Sequence, residues 1–391
     1  ILIIMGTAYQ PKIVTDGLAF MYDTDDGKSY KGEPTVNLAG SIVKNFSSWN
    51  GLTGSTEYYT TSTGGQGVKL ITTASGGVQW YSFSTIYNIQ ASTQYTISAT
   101  VKYIGGTPHP NLLYVRQYDA NGQTSESGKF TTANERDLGG GWKRIWRTFT
   151  TDATTTHINL QGYEYTTGKT IHIQDLQFEQ KGHATQFVNG TRSATEGLID
   201  RTNNATINLS NVSFDSDAQM TFDGTDDYLA IPHDSSQSFS GDFSIEAVIK
   251  GEGSTANCII QKGSGNDYYQ EYWLLQDMRS SPGMFMLIMG RSGNSSANYL
   301  STASNLSQNI YYHVVATVSG STSKIFVNGV QAASGTISTR IQSTSDLRIG
   351  WRVDGFAATN GEIPLTKIYN KALTSAEVLQ NFNATKSRFG L

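Results

Sequence analysis

The residues of this chain that could do chemistry are mostly aromatics and carboxylates, and several stand in groups. Trp80 and Tyr81 are adjacent, and Tyr163 and Tyr165 are two apart, which in an extended strand puts both rings on one face. Asp267-Tyr268-Tyr269-Gln270-Glu271-Tyr272-Trp273 is dense in rings and acids together. Flat rings stack on the C–H faces of sugars, while amides and carboxylates hydrogen-bond the hydroxyls around the sugar ring. On that chemistry Trp80, Tyr81, Tyr163, Tyr165, Tyr268, Tyr269 and Tyr272 are the carbohydrate-binding candidates. The last cluster reads equally as a binding loop or as a strand with its neighbouring loop. Trp49, Tyr114, Tyr118, Trp142 and Trp146 are further aromatics of the N-terminal half. The three tryptophans among them are expected in core or edge packing, because large rings gain most from burial.

Patterns for catalysis are missing. The sequence contains no Gly-x-Ser-x-Gly, no His-Glu-x-x-His and no P-loop. A retaining glycosidase would need two carboxylates about 5–5.5 Å apart, and no pair stands out. His313 lies inside an apolar run and is expected to be structural, and Cys258 has no partner motif and is expected as a small core residue. The chain is therefore expected not to be an enzyme.

Composition bounds the setting. The 391 residues suggest two to three domains. Charged residues make up 15%, against about 25% in an average soluble protein, and Gly, Tyr, Ser, Thr and Asn are abundant. The net charge of -4, with no Lys/Arg cluster, leaves no footprint for nucleic acid. No apolar run is long enough for a transmembrane helix, and the single cysteine excludes an intrachain disulfide. Stability must then come from sheet packing, oligomerisation or bound ions. Ile1-Leu2-Ile3-Ile4-Met5 reads either as an extension upstream of a true start at Met5 or as a cleaved or partner-docked strand.

The elements that must position these residues are strands. Tyr95–Val101, Thr170–Ile173, Phe243–Ile249 and Lys324–Val327 alternate with period two, and Gly105-Gly106, Asn121-Gly122, Asp223-Gly224 and Asn328-Gly329 punctuate the runs. Asn328-Gly329 lies between two apolar runs and predicts a tight hairpin. Only Ser375–Thr385 has helical spacing, with Thr374 as N-cap, Glu377 three residues on, and Ala376, Val378, Leu379 and Phe382 as the expected buried face. Many short strands and almost no helix predict an all-β fold of two antiparallel sandwiches.

An ordered series carries a family resemblance: Phe222-Asp223-Gly224-Thr225-Asp226-Asp227-Tyr228-Leu229, Phe243–Ile249, Tyr312–Val318, Lys324–Gly329 and Leu365–Val378. Residues 197–391 thereby resemble the laminin-G/pentraxin-like branch of the concanavalin A-like lectins. Ile13–Asp23 resembles the first strand of the same family, yet about 160 residues separate it from Gly197-Leu198-Ile199-Asp200. The resemblance implies a nested arrangement: an arm at 1–11, first strands at 12–36, an inserted jelly roll at 37–192, and the rest of the sandwich at 193–391, with residues 12–30 pairing with 363–370. Loop-closure cost grows only slowly with length, so such an insertion is tolerable. The insert resembles carbohydrate-binding jelly rolls through Asn45–Trp49, Gln94–Ser98, Gly141–Arg144 and Ile173–Glu179. Related sandwiches often hold calcium on carboxylate and carbonyl oxygens, which makes Asp226, Asp227, Asp175 and Glu179 candidate ligands. Turn capping is the competing role for Asp226 and Asp227. The Glu-x-Asp-x-x-Glu strand motif of the concanavalin A-like glucanases is absent.

The tail Ala184–Arg192 is similar to junctions in tailed-phage structural proteins that precede a laminin-G-like domain. Together these resemblances imply a bacteriophage virion surface protein: a fibre, appendage or capsid decoration. It would attach to host-surface glycans, contact other virion proteins and form a homo-oligomer. A purely structural cement or shaft protein is the first alternative, and a polysaccharide depolymerase the second.

Overall fold

The computed structural model describes residues 12–39, 54–64, 66–72, 79–106, 112–127, 134–164, 168–214, 220–265, 269–290, 298–337 and 341–391. Of residues 54–56, 66, 72, 79–84, 163 and 164 it describes the strand alone. The N-terminal arm, Trp49, Tyr165 and Tyr268 lie outside the described residues. The chain forms two compact units. One is built from two separated stretches, ending at Lys31 and resuming at Ala194, and the other occupies Gly32–Ser193 between them.

In the first unit two antiparallel sheets share a core. The central strand of the larger sheet, Phe243–Gly251, turns Phe243, Ile245, Ala247 and Ile249 inward, and all four are fully buried. Its neighbour Tyr311–Ser319 contributes Val314, Ala316 and Val318 in the same core, with Ala247 opposite Val314 and Ile245 opposite Ala316. The facing sheet supplies Ile259, Ile260, Tyr272, Leu274, Phe285 and Leu287. Each such side chain contributes about 1.5–3 kcal/mol when fully buried. The strand Leu18–Asp23 pairs antiparallel with the second half of Asn360–Tyr369, Tyr22 opposite Thr366, and so joins a sheet otherwise made of residues some 200–350 positions later.

The outer face of the larger sheet is also buried. Ser244, Glu246 and Val248 would be solvent-facing in a one-sided sheet, but Val14, Val315, Phe326, Tyr369, Leu373 and Val378 form a second apolar layer there. The helix Ser375–Thr385 belongs to that layer. Thr374 caps it, accepting from the Glu377 backbone N–H, and the Glu377 side chain accepts from the Thr374 N–H in return. The buried stripe is Val378, Asn381 and Thr385, while Ala376 and Leu379 face solvent, so the expected face is shifted. The reason is polar: the Asn381 amide donates to Glu246 at 2.6 Å and accepts from the Val14 N–H at 2.7 Å. A buried carboxylate in the sheet draws an amide, rather than Leu379, against it.

The second unit packs a six-stranded sheet against a four-stranded one. Val68, Leu70, Ile97, Ala99, Ile171, Ile173 and Phe178 from the larger sheet meet Leu113, Val115, Ile158 and Leu160 in one core. The expected boundary at 36/37 falls instead at 31/32, because Thr35–Val36 pairs with Thr191–Arg192 within this unit. Arg192 donates to the carbonyls of Glu33, Gln186 and Phe187, and Val188 N–H donates to Gln177. The tail Ala184–Arg192 thus closes the unit with its own hydrogen bonds.

Candidate functional site

The four-stranded sheet of the second unit has one face on the core and one face with polar and aromatic side chains. Its strand order is Gln79–Tyr87, His157–Glu164, Tyr114–Asp119, Gly122–Ser127. Because Ile158, Leu160 and Val115 point inward, the alternate residues His157, Asn159, Gln161, Arg116 and Tyr118 share the outer face. Register places Tyr87, His157 and Tyr118 in one row across three strands. The rings stack: His157 lies 5.0 Å from Tyr118 at 12° and 5.5 Å from Tyr87 at 27°. Tyr87, on the edge strand, is 68% exposed, so the row ends in an aromatic face open to solvent. The next row holds Arg116, Asn159 and Thr85; Arg116 pairs with Glu126 at 3.2 Å and lies over the Tyr114 ring. In the third row the Tyr114 hydroxyl donates to Gln161 at 2.9 Å. An open ring at one end of a stacked row, with amides in the adjoining rows and a guanidinium two strands away, offers a sugar stacking and hydrogen bonding on one sheet face.

Of the sequence-predicted residues, Trp80 and Tyr163 are direct cross-strand partners in this sheet, and Tyr81 stands opposite Gly162. Their side chains are outside the described part, as are Tyr165 and Tyr268. Tyr269 is 46% exposed at the start of Gln270–Asp277. Tyr272 is a correction. It is fully buried against Phe239 and Phe243, and its hydroxyl donates to the Gln237 carbonyl at 2.8 Å. Burial of the strand Gln270–Asp277 accounts for the second half of the cluster, Gln270 to Trp273. The ladder residues Tyr87 and His157 were not singled out from sequence. The signal was there in the alternation of His157, Asn159, Gln161 and Tyr163, but which strands flank them is a matter of pairing.

On the outer face of the seven-stranded sheet in the first unit, arginines cover several rings, while Tyr299 near the edge is 68% exposed. The Arg352 guanidinium lies 4.5 Å from both the Trp273 and Phe356 rings and is held by Asp354 at 2.6 Å. Arg348 lies over Tyr228 at 4.5 Å and near Trp351 at 5.3 Å. The rings of Trp273, Phe356, Tyr228 and Trp351 are engaged by these cations, each contact contributing about 0.5–2 kcal/mol. Beneath them Cys258 is fully buried, and burial pushes its thiol up to about 12.

Acidic residues divide into one cluster and several structural nodes. Asp223, Asp226 and Asp227 bring ligand oxygens within 4.8 Å of one another. Asp227 Oδ2 accepts from the N–H groups of Ser213 and Asp223, Asp223 Oδ1 from Thr225 N–H, and Asp226 Oδ2 from the Asn211 amide. Burial raises the Asp227 pKa above its ordinary value, and the neighbouring Asp223 adds to this. The donors are hard oxygens of the kind calcium takes, but three carboxylates supply fewer than its six to eight ligands. Asp175 and Glu179 do not join any such group among the described residues. Glu179 accepts from Thr35 Oγ1, Gln177 Nε2, and both Thr185 N–H and Oγ1, which fills its oxygens. Asp175 occupies a β-bulge at φ +52° and accepts from Thr63 at 2.6 Å, while buried Arg144 donates to its carbonyl. Both are fold residues, because a carboxylate buried in a sheet must be satisfied locally. In the first unit Glu246 and Glu271 are likewise engaged, Glu271 by Ser238, Phe239 N–H and Ser343 N–H.

Among solved structures, the chain is similar to domain 4 of an extracellular arabinanase from Geobacillus stearothermophilus, solved with arabinotriose. That match has 19% identity and a TM-score of 0.37, covering 48% of this chain and 92% of that one. It is also similar to a pentraxin from Limulus polyphemus, with 18% identity, a TM-score of 0.32, and 41% and 78% covered. A third is the botulinum neurotoxin serotype D binding domain, with 15% identity, a TM-score of 0.37, and 48% and 49% covered. The match spans about half the length of that toxin domain. A search of curated protein sequences finds no match. Residues 223–379, the greater part of the first unit, match the concanavalin A-like lectin/glucanases superfamily.

Proposed function

We propose that this chain is a non-catalytic glycan-binding protein that attaches, in many copies, to surface polysaccharide. The observation that carries the reading is the Tyr118–His157–Tyr87 row on an outer sheet face, ending in an open ring and flanked by Arg116, Asn159 and Gln161. A single open ring and a few hydrogen bonds give weak binding, so the function rests on multivalency: linked copies raise avidity by about 10²–10⁴ without new contacts. The similarity of Ala184–Arg192 to phage junctions supports placement on a virion surface, with host-cell glycan as the partner. A calcium ion on Asp223, Asp226 and Asp227 is part of the proposal, with the remaining ligands from carbonyls and water.

The test is binding of the purified chain to candidate host cells and their extracted polysaccharide. Saturable binding, competed by the polysaccharide and lowered at least fivefold by Tyr87→Ala with unchanged melting temperature, is expected. Stable oligomers that bind virion components and no glycan would replace this reading with the structural one. Release of reducing ends would replace it with a depolymerase.

A further inference from the structure

Between the larger sheet of the first unit and its helix lie three polar side chains that sugar binding does not use. Lys367, Glu246 and Asn381 are all fully buried. Glu246 and Lys367 stand directly opposite each other on neighbouring strands, and Asn381 reaches Glu246 from the helix Ser375–Thr385. Lys367 Nζ donates to Glu246 Oε1 at 2.6 Å, and Asn381 Nδ2 donates to Glu246 Oε2 at 2.6 Å. A primary amine and a carboxamide thus sit on the two oxygens of one carboxylate.

Packing alone does not call for this trio. An ammonium has three N–H groups to give, yet the fully buried Lys367 makes one hydrogen bond among the described residues. The Asn381 amide, by contrast, is fixed at both ends. Its Oδ1 accepts from Val14 N–H at 2.7 Å, and its Nδ2 also donates to the Tyr369 hydroxyl at 2.9 Å. His313 Nε2 shares Glu246 Oε1 at 3.1 Å, and the apolar layer of Val14, Val315, Phe326, Tyr369 and Val378 covers the group. A buried ion pair is often no more stabilising than apolar side chains of the same volume.

We infer that Lys367 and Asn381 join through an amide bond, with Glu246 as the proton carrier, and that this bond locks the helix to the last strand. Glu246 takes a proton from the Lys367 ammonium, and the free Nζ attacks Asn381 Cγ. The attack needs Nζ about 3–3.5 Å from Cγ, and the flexible lysine stem swings there from the neighbouring oxygen. Charge develops on Oδ1, which already accepts from Val14 N–H. The Cγ–Nδ2 bond then breaks as Glu246 passes a proton to Nδ2. The second proton lost by Nζ departs with the ammonia, as ammonium. One C–N bond forms and one breaks, nothing is oxidised or reduced, and no co-reactant is needed. The step happens once within each chain, so it gives no turnover of an outside substrate. The Lys367–Glu246 ion pair is the state before the reaction, and a chain that has not reacted keeps it and its charge.

Mass spectrometry of the full chain, folded and incubated at neutral pH, tests this. The wild type should be lighter than its sequence by one ammonia. Trypsin should then release peptide 353–371 joined to peptide 372–386 and uncut after Lys367. Lys367→Arg keeps a cation beside Glu246 but offers no amine to attack with, and it should retain its full mass, as should Asn381→Ala. A folded wild type that keeps its full mass and is cut after Lys367 overturns the inference, whatever the variants do. So does loss of ammonia without the joined peptide, which cyclisation at an Asn-Gly pair such as Asn328-Gly329 would give. A Lys367→Arg chain that still loses ammonia places the loss elsewhere and overturns it as well.

Discussion

Glu246 shows how one residue can govern a layer. Its carboxylate is fully buried and takes Lys367 at 2.6 Å, His313 Nε2 at 3.1 Å and the Asn381 amide at 2.6 Å. Burial alone would raise its pKa, but the Lys367 ammonium and the His313 bond outweigh burial and hold it at about 2. An unfolded glutamate titrates near about 4.3, so the folded state binds this proton more weakly. The stability it confers is complete above that value and is lost as pH falls from about 4.3 through about 2. Chemical denaturation between pH 5 and 2 should show this limb, and Glu246→Gln should flatten it. At neutral pH the same substitution strands Lys367 and should cost about 3–5 kcal/mol. An unchanged acid limb in the variant would mean that other carboxylates set it. At the same scale, calcium should raise the melting temperature of the wild type and not of Asp226→Asn, an exposed ligand whose loss spares the core. No shift on adding calcium or chelator removes the ion from the proposal.

Elements were read from the sequence where local chemistry alone decides. The helix has its capping box at Thr374 and Glu377, and the hairpin turn has Asn328 at φ +49° and Gly329 at φ +79°, the left-handed pair that a two-residue connection requires. Thr374→Ala should lower stability by about 1 kcal/mol, seen as a shifted urea midpoint at constant slope. Gly329→Ala should cost more than strain alone, since its Cβ would lie 2.8 Å from the Phe382 ring. What the helix buries was not legible. Apolar spacing pointed to Leu379, but Asn381 is buried because Glu246 requires a partner. Likewise Tyr272 reads as a binding ring in a mixed cluster, and only its place opposite Lys262 in a strand buried on both faces makes it core.

At the scale of the whole molecule, the chain leaves and re-enters the first unit at one point. Lys31 N–H donates to the Gly197 carbonyl at 2.8 Å, and Tyr30 bridges Leu198. Replacing residues 32–193 by a short Gly-Ser linker should therefore leave a first unit that folds and melts cooperatively. Circular dichroism and calorimetry would show it, and an unfolded product would mean that the second unit supplies stability as well as sequence.

By itself the sequence determined an all-β chain, its turn and cap positions, the likeness of its C-terminal part to concanavalin A-like lectins, and the return of an N-terminal strand, Leu18–Asp23, to the strand Asn360–Tyr369. Those features follow from period-two patterning, turn chemistry and residue order, which are local or one-dimensional. Only the tertiary structure decided which aromatics face solvent and which carboxylates have oxygens to spare. Tyr87 and His157 meet through strand register, Tyr272 is covered by a second sheet, and Glu179 is filled by Thr35 from 144 residues away. Exposure and hydrogen-bond satisfaction depend on what packs against a side chain, and neighbours of that kind are not neighbours in sequence.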